Sequence, residues 1–243
     1  MNVVAIIQAR MGSTRLPGKV MMEVYNKPLL EYQIERVQRS SKISKIVVAT
    51  TQNEREEPIL ELCKKLNVAV YRGSESDVLA RYYDAATEYS ADVVVRLTSD
   101  CPLIDPEIID TLINYYLMNS YDYVSNTQVR SYPRGMDTEV FSYKALKFAY
   151  YQGKKDFERE HVTPYLYLNQ DLFKVGQVVS PIDYSNHRWT VDTPEDLRLI
   201  TLLLENLWKS NPDFKMNDIL NILDRNPEWK SINAHIRQKQ LGE

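Results

Sequence analysis

Gln8-Ala9-Arg10-Met11-Gly12-Ser13-Thr14-Arg15-Leu16-Pro17-Gly18-Lys19 follows directly on the apolar run Val3-Val4-Ala5-Ile6-Ile7. A short unbroken apolar run closed by a glycine-containing loop reads as a strand buried on both faces. The helical pattern that begins near Pro28 makes the intervening stretch a strand-to-helix loop. Gly12 and Gly18 let its backbone bend and come close to a ligand. Arg10, Arg15 and Lys19 put three cations in it, Ser13 and Thr14 add hydroxyls, and residues 12–14 can offer free backbone N–H groups. Cations and N–H donors in such a loop suit a polyphosphate. A solvated basic loop is the plain alternative. Neither a Walker A nor a GxGxxG pattern is present, because Gly18-Lys19 is followed by Val20 and Gly12 is misplaced.

Outward from this loop the chain alternates. Helices are predicted over 27–40, 56–66, 77–89 and 106–117, and strands over 46–49, 68–71 and 93–95, with Asp77 and Asp105 as N-caps. Strands separated by helices of this length imply βαβ units, and so an α/β fold with a mostly parallel, Rossmann-like sheet flanked by helices. Ligands of such sheets bind at the carboxyl ends of the strands. The opening loop and the segment Arg96-Leu97-Thr98-Ser99-Asp100-Cys101-Pro102 both lie there. After Ser120 the alternation weakens. Strands are predicted over 122–125, 138–141 and 173–179, and helices over 143–151 and 157–168, with Pro164 as a kink or boundary.

Three further stretches carry candidate chemistry. Asp100 has no capping role, and a carboxylate at a strand end facing a phosphate loop is what a Mg²⁺ site needs; a surface turn is the bland alternative. Asp137 and Glu139, two apart on a predicted strand, face one way and suggest solvent, a metal or a polar ligand. In Asn186-His187-Arg188-Trp189-Thr190-Val191-Asp192-Thr193-Pro194-Glu195-Asp196, the cap Thr193, Pro194 and Asp196 are explained by helix initiation, whereas Asp192 is not. Arg188 is assigned to the phosphates or the sugar, and His161 to a substrate carboxylate or to a structural role.

Composition excludes other classes. The net charge of −3, from 30 Lys and Arg against 33 Asp and Glu, leaves no broad basic field for nucleic acid. No apolar run approaches a membrane span, and the first run is too short and lacks the basic flank of a signal peptide. Cys63 and Cys101 form neither a disulfide framework nor a zinc pattern, which fits a reduced cytoplasmic protein. The 243 residues fit one domain with a real core.

The loop resembles the signature of the sugar nucleotidyltransferases that activate 3-deoxy-manno-octulosonate and nonulosonic acids, A-R-x-x-S-x-R-L-P-G-K. Ala9, Arg10, Ser13, Arg15, Leu16, Pro17, Gly18 and Lys19 match it. Asp100, Pro102, Leu103, Ile104 and Pro106 match the family's G-D-x-P-L-I-x-P, with Ser99 for the glycine, and Val191 to Leu197 match its V-D-T-P-E-D-L. The usual Ile-Pro before Ala-Arg is Ile7-Gln8 here, which points to an SpsF-like spore-coat polysaccharide subgroup. The resemblance implies a nucleotide-diphospho-sugar transferase type of fold and transfer of CMP from CTP to a 2-keto acid sugar. It implies catalytic Arg10, Arg15, Lys19 and Asp100, with Ala9, Gly12 and Ser13 also on the nucleotide. Asp100 and Asp192 would hold Mg²⁺. Arg72, Ser74 and Arg81 would contact cytosine and ribose, and Asp137 and Glu139 the sugar. It further implies a homodimer made by an arm near 126–169. A glycosyltransferase of the same overall fold is disfavoured, since Ser99-Asp100-Cys101 is not D-x-D. Use of another nucleotide, or a scaffold that kept the fold, complete the alternatives.

Overall fold

In the computed structural model, which describes residues 1–238, the chain alternates strand and helix from its start. The elements are β1 (Val3–Gln8), β2 (Glu23–Val24), β3 (Lys27–Pro28), α1 (Leu29–Val37), β4 (Lys45–Thr51), α2 (Glu57–Lys65), β5 (Ala69–Gly73), α3 (Val78–Glu88), β6 (Val93–Thr98) and α4 (Pro106–Met118). Then come β7 (Tyr123–Ser125), β8 (Glu139–Ser142), α5 (Tyr143–Gln152), α6 (Asp156–His161), α7 (Pro164–Leu168), β9 (Val175–Gln177), α8 (Pro194–Leu207) and α9 (Met216–Arg225).

Seven strands form the central sheet in the order β5-β4-β1-β6-β8-β7-β9. β5, β4, β1 and β6 are mutually parallel, β8 runs antiparallel between β6 and β7, and β9 is parallel to β7. The period-two geometry of a strand sorts β1 into two cores. Val3, Ala5 and Ile7 pack with α1, α2, α4, α8 and α9, while Val4 and Ile6 pack with α3, α5 and α7. Helices therefore cover both faces, as the unbroken apolar strands require.

The sequence-based elements are present, with shifted bounds and instructive differences. The predicted helix over 27–40 is shorter, because a β2–β3 hairpin precedes it; Tyr25 and Asn26 both take positive φ (53° and 56°), the geometry of a type I′ turn. The predicted helix over 157–168 is divided at Val162 (φ 72°), and Pro164 opens α7. The stretch expected as an arm does not project. It puts β8 into the middle of the sheet and lays α5 and α6 against α3.

Candidate active site

β1 ends in the centre of the sheet at Gln8, and the loop that follows folds on itself. The Gly18 N–H donates to the Met11 carbonyl at 2.9 Å, and the Ser13 N–H donates to the same oxygen at 3.0 Å. Gly18 is left-handed (φ 70°), which permits the reversal into Lys19. The Ser13 N–H is thus used internally, whereas the N–H groups of Gly12, Thr14 and Arg15 have no partner among the described residues. The loop is anchored by Glu56, fully buried, which accepts from the Met11 N–H at 2.8 Å and from the Thr51 hydroxyl at 3.0 Å. Gly12 lies against Arg55; a Cβ there would come within 2.5 Å of its guanidinium.

Asp100 and Asp192, far apart in sequence, meet under this loop. The Val191 N–H donates to the Asp100 carbonyl at 2.8 Å and the Thr190 hydroxyl to the same oxygen at 3.2 Å, which staples the late segment to the turn after β6. Lys19 stands between the carboxylates. Its Nζ donates to Asp192 Oδ1 at 2.8 Å and to the Val191 carbonyl at 2.7 Å, and lies 3.7 Å from Asp100 Oδ2. Arg15 reaches Asp192 Oδ1 at 3.0 Å. Burial pulls the Lys19 ammonium down, but Asp100 and Asp192 outweigh it and hold it above its ordinary value. Burial likewise pushes the Asp100 carboxyl up, and Lys19 with the hydroxyls of Thr98 and Thr190 holds it below the usual range. Both groups are charged at neutral pH.

A cleft of about 310 Å³ opens over this pair, lined by Gln8, Ala9, Arg10, Ser13, Thr14, Arg15, Lys19, Arg81, Asp100, His161 and Asp192, among others. It brings together Ala9, Arg10, Ser13, Arg15 and Lys19 of the loop with both carboxylates, whereas Gly12 lies off its lining, against Arg55. A second cavity of about 430 Å³ adjoins it and shares Arg15, Thr98, Glu160 and His161. Asp137 and Glu139 line that cavity. Burial lowers the His161 imidazole below its ordinary value, nearby Arg96 adds to this, and Glu160 and Glu139 oppose it.

Several side chains stand elsewhere than the sequence suggested. Asp137 and Glu139 do not share a strand face, since β8 begins at Glu139. Asp137 pairs with Arg130 at 2.7 Å. Glu139, only 5% exposed, pairs with Arg96 and accepts from the hydroxyls of Tyr123 (2.5 Å) and Thr163 (2.6 Å). Arg188 lines neither cavity among the described residues. Its Nε and one terminal nitrogen donate to the two Asp196 oxygens at 2.9 and 3.0 Å, and that terminal nitrogen also donates to Asp192 at 2.8 Å. Arg188 therefore positions Asp192 rather than facing the cleft. Arg72 bonds the Thr51 and Asn53 carbonyls, and Ser74 accepts from the Asp77 N–H; both lie outside the cleft lining, whereas Arg81 lies on it. Sequence reasoning gave no site role to Gln8, Glu56, Arg96, Arg130 or Arg134. A signal existed for Arg96, a cation set between the apolar run Val93-Val94-Val95 and Leu97, which needs a buried partner or a ligand.

A family profile described as cytidylyltransferase matches residues 4–211, most of the chain. The chain belongs to the cytidylyltransferase family. Among its relatives, an uncharacterised protein of Methanocaldococcus jannaschii is 42% identical over 100% of this chain and 99% of its own length. The spore coat polysaccharide biosynthesis protein SpsF of Bacillus subtilis is 33% identical over 93% of this chain and 96% of its own. A solved cytidylyltransferase from Leptospira borgpetersenii superposes with a TM-score of 0.91 at 35% identity, covering 99% of this chain and 100% of that one. As a member of this family the chain is a nucleotidyltransferase, and the cleft at the ends of β1 and β6 is its candidate active site.

Proposed function

We propose that this cytidylyltransferase moves CMP from CTP to the hydroxyl of an acidic, nonulosonic or related 2-keto sugar, releasing pyrophosphate, in the cytoplasm and in the service of surface polysaccharide synthesis. The observation that carries the reading is Lys19 held between Asp100 and Asp192 beneath a loop with unpaired N–H groups. The likeness to SpsF supports the polysaccharide setting. We also read the molecule as a homodimer.

Residues divide by charge. The N–H groups of Gly12, Thr14 and Arg15, with the side chains of Arg10 and Arg15, take the triphosphate. Lys19 and Arg15 neutralise charge as it builds on the departing pyrophosphate. The acceptor lies in the adjoining cavity, where Arg134 has no acidic partner among the described residues and His161 stands at the junction. Positioning and charge neutralisation suffice for such chemistry, with no covalent nucleophile.

Asp100 and Asp192 would hold Mg²⁺ once Lys19 and Arg15, which engage Asp192 Oδ1 here, turn to the phosphates. The octahedral ion is commonly held by one or two carboxylates with substrate phosphates and water, and Asp100 and Asp192 both face the cleft. Held by Asp100 and Asp192, Mg²⁺ would supply Lewis-acid polarisation of phosphate oxygens and lower the pKa of the acceptor hydroxyl.

The test is pyrophosphate release with each of the four nucleoside triphosphates and Mg²⁺ against a panel of nonulosonic acids, 3-deoxy-manno-octulosonate and sugar phosphates. Turnover with CTP and one keto-acid sugar, abolished in Asp100→Asn without loss of fold, is the expected result. Turnover with UTP or GTP alone overturns the choice of nucleotide. Absence of both turnover and nucleotide binding overturns the reading.

A further inference from the structure

Gln8 interrupts an otherwise apolar strand at its last position and lines the cleft. Its Oε1 is shut off from solvent and has no hydrogen-bond partner. The Nε of Arg81, on the same cleft, is in the same condition, although its NH1 donates to the Ser74 carbonyl at 3.0 Å. A buried polar atom without a partner is costly, and native proteins keep few of them without cause. Here one orphan is an acceptor and the other a donor, and both sit on one ligand cleft.

The alternation of the sheet explains where they are. Gln8 follows Val4 and Ile6 on the face packed by α3, and its cross-strand neighbours are Ala49 and Thr98. Arg81, from α3, approaches over Gly73, where a Cβ would come within 3.2 Å of the Arg81 side chain.

A phosphate cannot satisfy Gln8 Oε1, because a phosphate offers only acceptors at neutral pH. The ligand group at Gln8 must donate, and the group at Arg81 Nε must accept. Cytosine does both on one edge, with a 4-amino donor and a 2-carbonyl acceptor on either side of the N3 acceptor. Uracil keeps the 2-carbonyl but replaces the amino group with a carbonyl. Arg10 and Arg81 line the same cleft, and a carboxamide dipole turns its negative end toward such cations. That orientation keeps Oε1, rather than the amide N–H, available to the base.

We propose that Gln8 reads the base in this cleft, accepting from the cytosine 4-amino group beside Arg81, which the resemblance already assigns to the base and which would donate to the 2-carbonyl, so that Gln8 sets the preference for cytosine over uracil. This rests on the nucleotidyltransferase reading above.

The experiment is calorimetric titration of the whole protein with CTP and with UTP in Mg²⁺ buffer, without acceptor. Wild type binds CTP more tightly. Gln8→Leu loses about tenfold in CTP affinity, one hydrogen bond's worth, and leaves UTP unchanged, so the preference collapses. Its melting temperature does not fall, because the orphan carbonyl has gone with the side chain. Arg81→Met weakens both nucleotides alike, since both carry the 2-carbonyl. Equal losses of CTP and UTP in Gln8→Leu would mean that Gln8 holds the ribose, and would overturn the inference while leaving the reaction intact. An unchanged CTP-to-UTP ratio overturns it in the same way. Binding of neither nucleotide by wild type overturns the nucleotidyltransferase reading, and this inference with it.

Discussion

Replacing Arg188 with Met separates a positioning role from a substrate-binding one. The guanidinium makes three donations, at 2.8 to 3.0 Å, to two buried carboxylates, Asp192 (6% exposed) and Asp196 (0%). Removing one partner of a buried, hydrogen-bonded ion pair costs about 3–5 kcal/mol. Asp196 keeps the Asn233 amide and the N–H groups of Asp192 and Thr193, and Asp192 keeps Lys19 and Arg15. These partners put the expected loss at the low end, about 3 kcal/mol. For a chain of this size each kcal/mol moves Tm by about 2–4 °C, so the melting transition of Arg188→Met should fall by roughly 6–12 °C. Calorimetry measures this directly. Arg188→Lys, which keeps the charge without the planar fork, should fall between the two. Adding Asp196→Asn to Arg188→Met should recover part of the loss, because it removes the orphaned charge. A variant whose Tm stays within about 2 °C of wild type while its KM for a substrate rises would refute the reasoning and return Arg188 to the substrate.

Lys19→Met should lower turnover by about 10²–10³-fold, the scale of losing one charge-stabilising donor. Because Lys19 holds the Asp100 carboxyl below its usual range, the acid limb of the pH–rate profile of the residual activity should shift upward in that variant. Gly135 has φ +103°, and a Cβ there would lie 2.6 Å from the Trp189 carbonyl oxygen; Gly135→Ala should destabilise by about 1–3 kcal/mol or more, read by thermal melting. His161 is lowered from 6.5 in the folded state by burial, so its contribution to stability is present above about pH 6.5 and is lost as pH falls through the folded value. His161→Asn should therefore show a shallower loss of Tm than wild type between about pH 7 and 5.

The first strand and its loop were legible because an apolar run, two glycines and three cations speak through local chemistry. Asp192 was legible by subtraction, since helix capping accounts for Thr193 and Asp196 and leaves it over. That accounting hid a second role of Asp196. Its carboxylate caps α8 and also binds Arg188, and a partner eight residues upstream through a loop leaves no periodic trace. Glu139 misled for a related reason. Its register partner across β6–β8 is Arg96, so a buried carboxylate that looks costly in one strand is neutralised by the next. Nothing local told β8 to enter the sheet between β6 and β7, because that order is set by packing over long range.

The staple between residues 190–191 and the Asp100 carbonyl has a consequence for how the protein comes into being. The loop after β1 and Asp100 are synthesised early, and Asp192 follows Asp100 by about ninety residues. At about 5–20 residues per second, that is a wait of roughly 5–20 s during which the nascent chain holds half a site. A polypeptide released before Asp192 carries the signature loop without the segment that is stapled to Asp100, so on the proposed reading truncated products are expected to be inert, with activity first measurable once translation has passed the late segment.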